Sequence, residues 1–199
     1  MLWGSGVSIV EVTVAPLSIP LREPFVIASG RMDATRAALV RATLEDDRGR
    51  RAIGLGESAA LPPVTREDQP ELLQLIATAA AGLRGVPIGH ADDLDRLLAE
   101  QLPASAVARA GVETAILDAA ARLQGLPLWR ALGGTDAPAL STDITLSISD
   151  PERMASAAAH HARAGFTCFE HHLQPGLAAR RERHLRHGEH GVQDNQEEQ

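Results

Sequence analysis

Alternating hydrophobic and polar positions predict three β-strands in the first part of the chain. Residues 7–14, 38–45 and 51–58 each repeat with a period of two, which is the side-chain period of a strand. A proline-containing segment at 15–30 predicts a loop, and Asp-Asp-Arg-Gly-Arg at 46–50 predicts a tight turn. Strands joined in this order form an antiparallel meander, one face of which another layer must cover.

The next part of the chain, residues 65–132, has the spacing of three and four between hydrophobic positions that is typical of helices. Thr65 precedes an acidic stretch and is the predicted N-cap of the first helix. A second helix is predicted from near Ala91, and a third from near Pro103 to Gly125. Because the third helix is rich in alanine and glycine, we expect another backbone to approach it closely.

Residues 139–170 predict a strand, a helix and a second strand. The first strand is expected over 139–149, and Asp150 followed by Pro151 is the usual arrangement of an N-cap and a first helical residue. The helix is expected to end at Gly165, before a second strand that begins in Phe-Thr-Cys-Phe-Glu. Such a βαβ unit pairs its strands in parallel through a right-handed crossover.

Composition narrows the classes of function. The net charge of -7 argues against nucleic acid and anionic membranes as partners. A single cysteine, Cys168, excludes a disulfide framework and fits a reducing compartment, so a cytoplasmic location is expected. Neither a signal peptide nor a membrane-spanning stretch is predicted. All 19 basic residues are arginine, which stays protonated and is a poor general base, whereas lysine can be tuned to exchange a proton.

Other chemical signals are weak. His184, His187 and His190 have a spacing that could hold zinc or nickel on one helical face, but an unstructured tail with adventitious affinity is the favoured interpretation. The glycines at 54 and 56 lack the third glycine and the helix of a dinucleotide-binding motif. Ser58 has no histidine partner at a recognisable position, so nucleophilic hydrolysis has no support.

Several segments together resemble the enolase superfamily, in its mandelate racemase and muconate-lactonizing branch. Pro-Leu-Arg-Glu-Pro-Phe-Val-Ile-Ala-Ser-Gly-Arg at 20–31 resembles the family's substrate-closing loop, and Gly-Leu-Gly-Glu-Ser at 54–58 the end of its capping sheet. Residues 108–134 resemble the helix that leads into its barrel, and 141–154 the first barrel strand and helix of dipeptide epimerases. The resemblance implies an α+β fold: an enolase-type capping domain over 7–132 and the first βαβ of an incomplete TIM-type barrel over 139–170.

The resemblance also implies a reaction, the epimerisation of dipeptides such as Ala-Glu through an enolate. In the family, Mg²⁺ stabilises the enolate and lysines on opposite faces carry the proton. Glu170 and His172 stand where the family's Lys-x-Lys pair is expected, so we assign no catalytic residue to this chain. We expect no metal ligand either, because the family's three acidic ligands lie on later barrel strands, for which no sequence is left. Arg31 resembles a loop arginine that meets a substrate carboxylate, and Thr145 a strand threonine that contacts substrate. A solvated arginine and a pleat-filling threonine are the alternatives.

The expected epimerase function is therefore that of the family, and this chain by itself is expected to be inactive. The polar stretch 171–199 is expected to be disordered, and the change in composition there predicts a shortened or frameshifted gene product. We predict that the chain alone does not epimerise dipeptides. Two alternatives are left open: a non-catalytic interaction fragment, which includes a homo-oligomer, and another superfamily reaction, namely muconate cycloisomerase, acylamino-acid racemase or o-succinylbenzoate synthase. Glu57 and Asp118 are expected to be structural carboxylates, and residues 139–170 to be less protected than the cap.

Overall fold

The computed structural model describes residues 6–28, 30–62, 64–137 and 139–171. The elements in chain order are β1 (Val7–Ile27), β2 (Gly30–Glu45), β3 (Arg51–Ala60), α1 (Gln69–Leu83), β4 (Pro87–Ile88), α2 (Ala91–Gln101), α3 (Ala106–Leu123), α4 (Leu128–Ala131), β5 (Ile144–Leu146), α5 (Pro151–Arg163) and β6 (Phe169–His171). The chain divides into two compact units. The first unit comprises Met1–Leu21 and Ala34–Ala139, and the second unit comprises Arg22–Asp33 and Leu140–Gln199.

The first unit contains a four-stranded sheet in the order β3-β2-β1-β4, which includes the predicted meander. Strands β2 and β3 pair antiparallel from Arg36↔Ala60 to Glu45↔Arg51. The predicted turn joins them: the carboxylate of Asp46 accepts hydrogen bonds from the backbone N–H groups of Arg48 and Arg50. The short strand β4, which pairs with the start of β1, was not predicted, because two residues are too few to show a period.

The predicted loop at 15–30 is wrong, since β1 continues through the prolines to Ile27. Pro16, Pro20 and Pro24 are an even number of residues apart, so the missing N–H of each falls on the same edge of the strand. The backbone N–H of Val26, which has the same parity, points away from β2 and donates to Ser147. Proline therefore removes donors on one edge of β1 only.

The alternation within β1 is also not continuous. Ile9 is fully buried, and the next buried position is Val12, three residues later. A period of two cannot place both on one face, so the burial phase shifts between them, as it does where a strand carries one extra residue. The sequence pattern could not reveal this shift because residues 9, 10, 12 and 14 are all hydrophobic.

The first helix begins later than predicted. Asp68, not Thr65, is the N-cap of α1, and it forms a capping box with Glu71. The hydroxyl of Thr65 instead accepts the N–H of Leu61 and donates to the carbonyl of Glu67, which closes a loop ahead of the helix. Likewise α3 begins after its N-cap Ser105, whose hydroxyl accepts the N–H of Ala108 at 3.0 Å, and not at Pro103.

Helix α3 packs against β3 at backbone contact distance, as its small residues predicted. Eight of its residues are buried: Ala108, Gly111, Val112, Ala115, Ile116, Ala119, Ala120 and Ala121. A Cβ atom added at Gly54 would lie 2.1 Å from the carbonyl oxygen of Ala115, and one at Gly56 would lie 2.0 Å from that of Gly111. Glycine in β3 is therefore required by the approach of the helix.

The second unit contains the predicted βαβ arrangement. Strands β5 and β6 pair in parallel, with Ile144 opposite Phe169, and Asp150 caps the intervening helix α5 as expected. The strand predicted over 139–149 is much shorter, because only Ile144–Leu146 has a partner strand in the part of the chain that the structure describes. Ile144, Phe166 and Phe169 remain half-buried.

No helix in residues 6–171, within the described ranges, is both long and apolar enough to cross a membrane.

Acidification should destabilise the first unit. Burial raises the pKa of Asp46, but hydrogen bonds from the backbone and side chain of Arg50 and from the backbone of Arg48 outweigh it and hold that pKa below its usual range. The pKa of Asp68 is also lowered, by the N–H of Gln69 and then by Arg36. A lowered pKa in the folded state means that stability is present above the unfolded-state pKa of about 3.9 and is lost as pH falls below it.

Urea unfolding followed between pH 7 and pH 3 measures this effect. Asp46→Asn should flatten the acid limb of the stability curve, because it removes one of the groups that must be protonated. Asp47→Asn is the matched control, since Asp47 is the adjacent aspartate and is exposed. Equal acid limbs in the two variants would contradict the assignment.

Candidate functional site

Two side chains that the sequence singled out separately lie together at the paired ends of β5 and β6. Thr145 is opposite Glu170 in the parallel register. The hydroxyl of Thr145 donates a hydrogen bond to the carboxylate of Glu170, with 2.7 Å between the two oxygens. Thr145 is half-buried and Glu170 is exposed. The hydroxyl proposed for substrate is thus engaged by a carboxylate of the chain itself.

The tip of the β1–β2 hairpin belongs to the same unit as this strand pair. The N–H of Val26 donates to the hydroxyl of Ser147 at 2.8 Å, and the N–H of Ile148 donates to the carbonyl of Val26 at 2.8 Å. Ser147 in turn donates to the carbonyl of Pro24 at 3.3 Å. The segment that resembles a substrate-closing loop is therefore bonded to the residues that follow β5.

Arg31 lies on this hairpin and forms an ion pair with Asp33. Its Nη2 atom lies 2.8 Å from Oδ1 of Asp33, and both side chains are exposed, at 60% and 68%. The hydrogen bond with Asp33, followed by its negative charge, raises the pKa of Arg31 above its already high value, so the guanidinium stays charged. An exposed pair of this kind contributes little stability and exchanges readily with another carboxylate.

The structure does not join all the predicted site residues. Within the described ranges, the hydrogen bonds of Arg31 go to Asp33 and that of Thr145 goes to Glu170, rather than to each other. His172 lies outside the described residues, as does the histidine-rich segment at 184–190. No pairing between Glu170 and a second proton carrier is described.

The described residues do not fit a resident Mg²⁺ ion. Magnesium binds through near-octahedral oxygen ligands, of which carboxylates are the main protein donors. Among the side chains that the structure describes, no group of three or more His, Cys, Asp and Glu could hold a metal ion. We therefore derive no step of a reaction through a metal on these residues.

Asp118 has a structural position, as the sequence predicted. Its carboxylate accepts the backbone N–H of Leu55 at 3.0 Å and the guanidinium of Arg122 at 2.9 Å. Glu57 lies on β3 with its side chain exposed.

Ser58 also faces the core and not a catalytic centre. It is fully buried, and its hydroxyl has no hydrogen-bond partner within the described structure. A Cβ atom added at Gly111 would lie 2.1 Å from that hydroxyl, so the oxygen fills the gap that the helix glycine leaves. This position excludes Ser58 as a nucleophile, because no substrate atom could reach it.

The first unit also has an open groove of about 710 Å³, lined by Arg66, Glu67, Glu71, Gln74, Leu75, Thr78, Gln101 and Ala104. A hydrogen bond from Ser105 lowers the pKa of Glu67, so this carboxylate is charged and anchors the start of α3.

Comparison with known proteins identifies the fold. Residues 9–133 match the family model of the mandelate racemase / muconate lactonizing enzyme, N-terminal domain. The chain belongs to this family. Its first unit is accordingly the N-terminal capping domain of the enolase superfamily, an antiparallel sheet with helices in an α+β arrangement. The resemblance stated from the sequence is thus confirmed at the level of the superfamily and its branch.

Relatives of this mandelate racemase / muconate lactonizing family include dipeptide epimerases. The chain is 35% identical over 153 residues to an L-Ala-D/L-amino acid epimerase of Populus trichocarpa, with 76% of this chain and 35% of the relative covered. It is 30% identical to a hydrophobic dipeptide epimerase of Citrifermentans bemidjiense, with 80% and 44% covered. A dipeptide epimerase of Cytophaga hutchinsonii, solved with Mg and D-Ala-L-Val, superposes with a TM-score of 0.72 at 26% identity, over 83% of this chain and 44% of that one.

The chain thus spans less than half the length of these relatives.

Sequence reasoning missed two residues of the candidate site, Asp33 and Ser147. A signal for Asp33 existed, because a residue two positions from Arg31 shares its face in a strand. It was overlooked because this part of the chain was interpreted as a loop. Ser147 is paired with β1, more than 100 positions earlier, and no local pattern reveals such a contact.

Proposed function

We propose that this chain carries the capping half of a dipeptide epimerase of the enolase superfamily and does not epimerise dipeptides on its own. The observation that carries the proposal is the bond between Glu170 and Thr145. The resemblance places an amine of the Lys-x-Lys pair at residue 170. The chain has a carboxylate there, held by the neighbouring strand.

The charge at this position opposes the chemistry. Removal of a proton next to a carboxylate leaves a dianionic enolate, which an enzyme must stabilise with positive charge. Mg²⁺ supplies that charge when it is bound in the family. Glu170 adds a negative charge instead, and the described side chains provide no set of ligands for the ion. A carboxylate is also a weaker base than a lysine amine, so it holds an abstracted proton less well.

Substrate binding is a separate part of the proposal. We infer that Arg31 meets a carboxylate of a dipeptide, because its guanidinium is exposed, charged and paired with an exchangeable partner. A dipeptide such as Ala-Glu offers a carboxylate that would replace Asp33 in a similar bidentate contact. Thr145 would contact the same ligand only after its hydroxyl leaves Glu170.

A deuterium-exchange assay tests the proposal. The purified chain with Mg²⁺ in D₂O is given Ala-Glu and D-Ala-L-Val, and exchange at the α-carbon is followed by proton NMR. We expect no exchange above the protein-free rate, while the full-length Cytophaga hutchinsonii enzyme serves as the positive control. Measurable exchange by this chain would overturn the proposal. In the same titration, the NMR chemical shifts of the Arg31 side chain should move when the dipeptide is added. In an Arg31→Ala variant, the dipeptide should cause no change in the backbone chemical shifts.

A double substitution that restores the lysine amines distinguishes the two missing components, which are the proton carriers and the metal ligands. Glu170→Lys combined with His172→Lys returns the family's Lys-x-Lys pair to its position. We expect this variant to remain inactive, because amines alone do not stabilise the enolate. Activity in it would indicate that the proton carriers were the one missing component and would contradict the argument from metal ligands.

A non-catalytic interaction fragment is the second candidate function. It is favoured by two large hydrophobic side chains of β3, Ile53 and Leu55, which are 39% and 49% exposed.

A further inference from the structure

The side chains of Arg31 and Asp33 lie on one face of β2, because residues two positions apart in a strand point the same way. Asp33 contacts one side of the guanidinium: its Oδ1 atom accepts a hydrogen bond from Nε at 3.1 Å and another from Nη2 at 2.8 Å. A guanidinium has five N–H donors in a rigid plane. The contacts of Asp33 therefore leave the Nη1 side of the group to a second acceptor.

A ligand carboxylate that binds Arg31 also meets the negative charge of Asp33, whether it takes the Nη1 side or replaces Asp33 on the other. Two carboxylates then share one guanidinium, and one negative charge is left unbalanced. Like charges at this distance oppose binding. The segment Arg22–Asp33 contains two arginines and two acidic residues, and the whole chain has a net charge of -7, so neither supplies the missing positive charge.

We propose that Asp33 is a specificity residue that binds a cationic group of the ligand while Arg31 binds its carboxylate. This assignment rests on the proposed binding of a dipeptide carboxylate by Arg31. A dipeptide with a free amino terminus carries an ammonium group, so each protein charge keeps a partner of opposite sign. Residues two positions apart in a strand are separated by about 6.6 Å, and two extended residues span about 7 Å, so one dipeptide can reach both side chains.

The assignment distinguishes two substrate classes. An N-acylated amino acid, the substrate of an acylamino-acid racemase, has a carboxylate but no ammonium group. Asp33 repels such a ligand and has no cation in it to bind. The pair of Arg31 and Asp33 therefore favours free dipeptides over N-acylated compounds. Because the contact is exposed, the preference should be that of a single surface charge pair, about threefold.

NMR titration of the full chain with Ala-Glu and with N-acetyl-Ala-Glu tests the proposal, since only the first ligand has an ammonium group. The side-chain chemical shifts of Arg31 report the dissociation constant of each ligand. The titrations are made at about pH 6.5, where an amino terminus with a pKa of about 8 is protonated, and at constant ionic strength. We expect Ala-Glu to bind about threefold more tightly than N-acetyl-Ala-Glu.

An Asp33→Asn variant removes the negative charge and keeps the size of the side chain. The ratio of the two affinities should fall to about one, chiefly because N-acetyl-Ala-Glu binds about threefold more tightly than it does to the original chain. Asp47→Asn is the matched control: it changes the net charge equally, lies in the first unit and should leave the preference unchanged. Both aspartates are exposed, and backbone amide spectra check that both variants fold.

The outcomes separate this assignment from the binding on which it rests. Equal affinities of the original chain for the two ligands overturn the role of Asp33 and leave carboxylate binding by Arg31 intact. A preference that persists in Asp33→Asn also overturns that role, because another group then recognises the ammonium. So does a preference that Asp47→Asn abolishes as well, because net charge then explains it. If the Arg31 signals respond to neither ligand, both the role of Asp33 and the proposed dipeptide binding are wrong.

Discussion

Replacing Gly54 by alanine should destabilise the capping domain by about 3 kcal/mol or more. The new Cβ would lie 2.1 Å from the carbonyl oxygen of Ala115, 2.2 Å from the N atom of Ala119 and 2.9 Å from its Cα atom. All three are backbone atoms within a helix, so none can rotate aside. The clash can be relieved only by moving α3 away from β3, which opens the core. A loss of this size is a large part of the 5–15 kcal/mol that stabilises a typical domain.

The matched control is Gly89→Ala. Its Cβ would meet one atom within 4 Å, the Oδ2 atom of Asp93 at 3.5 Å, which is an ordinary contact. Chemical denaturation with urea, followed by circular dichroism, should give a clearly lower midpoint for Gly54→Ala and a nearly unchanged midpoint for Gly89→Ala. A Gly54→Ala variant as stable as the original chain would show that β3 and α3 do not approach at backbone distance.

Amide hydrogen exchange should be at least about 100-fold faster in α5 than in α1. The two helices are matched internally, because each has an aspartate N-cap and a proline in its first turn. They differ in burial: five residues of α1 are buried, whereas none of α5 is. A helix of 13 residues is marginal in water without packing, so α5 should open locally.

The backbone amides of β5 and β6 should exchange hydrogen at a rate similar to those of α5. Leu146 is the one buried residue among the described residues of the second unit, at 7% exposure. Core amides of β2 and α3 should exchange only on global unfolding. Mass spectrometry of peptic fragments distinguishes these classes. Equal protection of α1 and α5 would mean that contacts outside the described ranges stabilise the second unit.

The two units differ in how well they are packed, and this difference bears on function. The capping domain has a close-packed core of its own, so it is expected to keep its fold irrespective of catalysis. The paired ends of β5 and β6 position Thr145 and Glu170, but most residues of the elements around them are exposed or only half-buried. Catalytic groups need rigid support to keep their geometry. The expected lack of turnover therefore has a structural as well as a chemical cause.

Local patterns were sufficient for the order and type of most elements. The meander, the helix from Ala91, the glycine ends of helices and the βαβ arrangement all follow from periods, caps and turns within a few residues. The close approach of α3 to the sheet was also predictable, because the small side chains of this helix leave room for another backbone. The family resemblance rested on the same segments, and the match over 9–133 confirms it.

Features that depend on a partner strand or a competing side chain were decided only by the folded chain. The prolines of β1 were taken for a loop because their effect depends on which edge lacks a neighbour. The choice of Thr65 was an avoidable error, because Asp68 followed three residues later by Glu71 is the sequence signature of a capping box, and only the ion pair of Asp68 with Arg36 is added by the fold. The pairs Arg31–Asp33 and Thr145–Glu170 follow from strand extent and register. Side-chain period and capping act over a few residues and are written in the sequence, whereas register joins residues far apart and exists only once the strands meet.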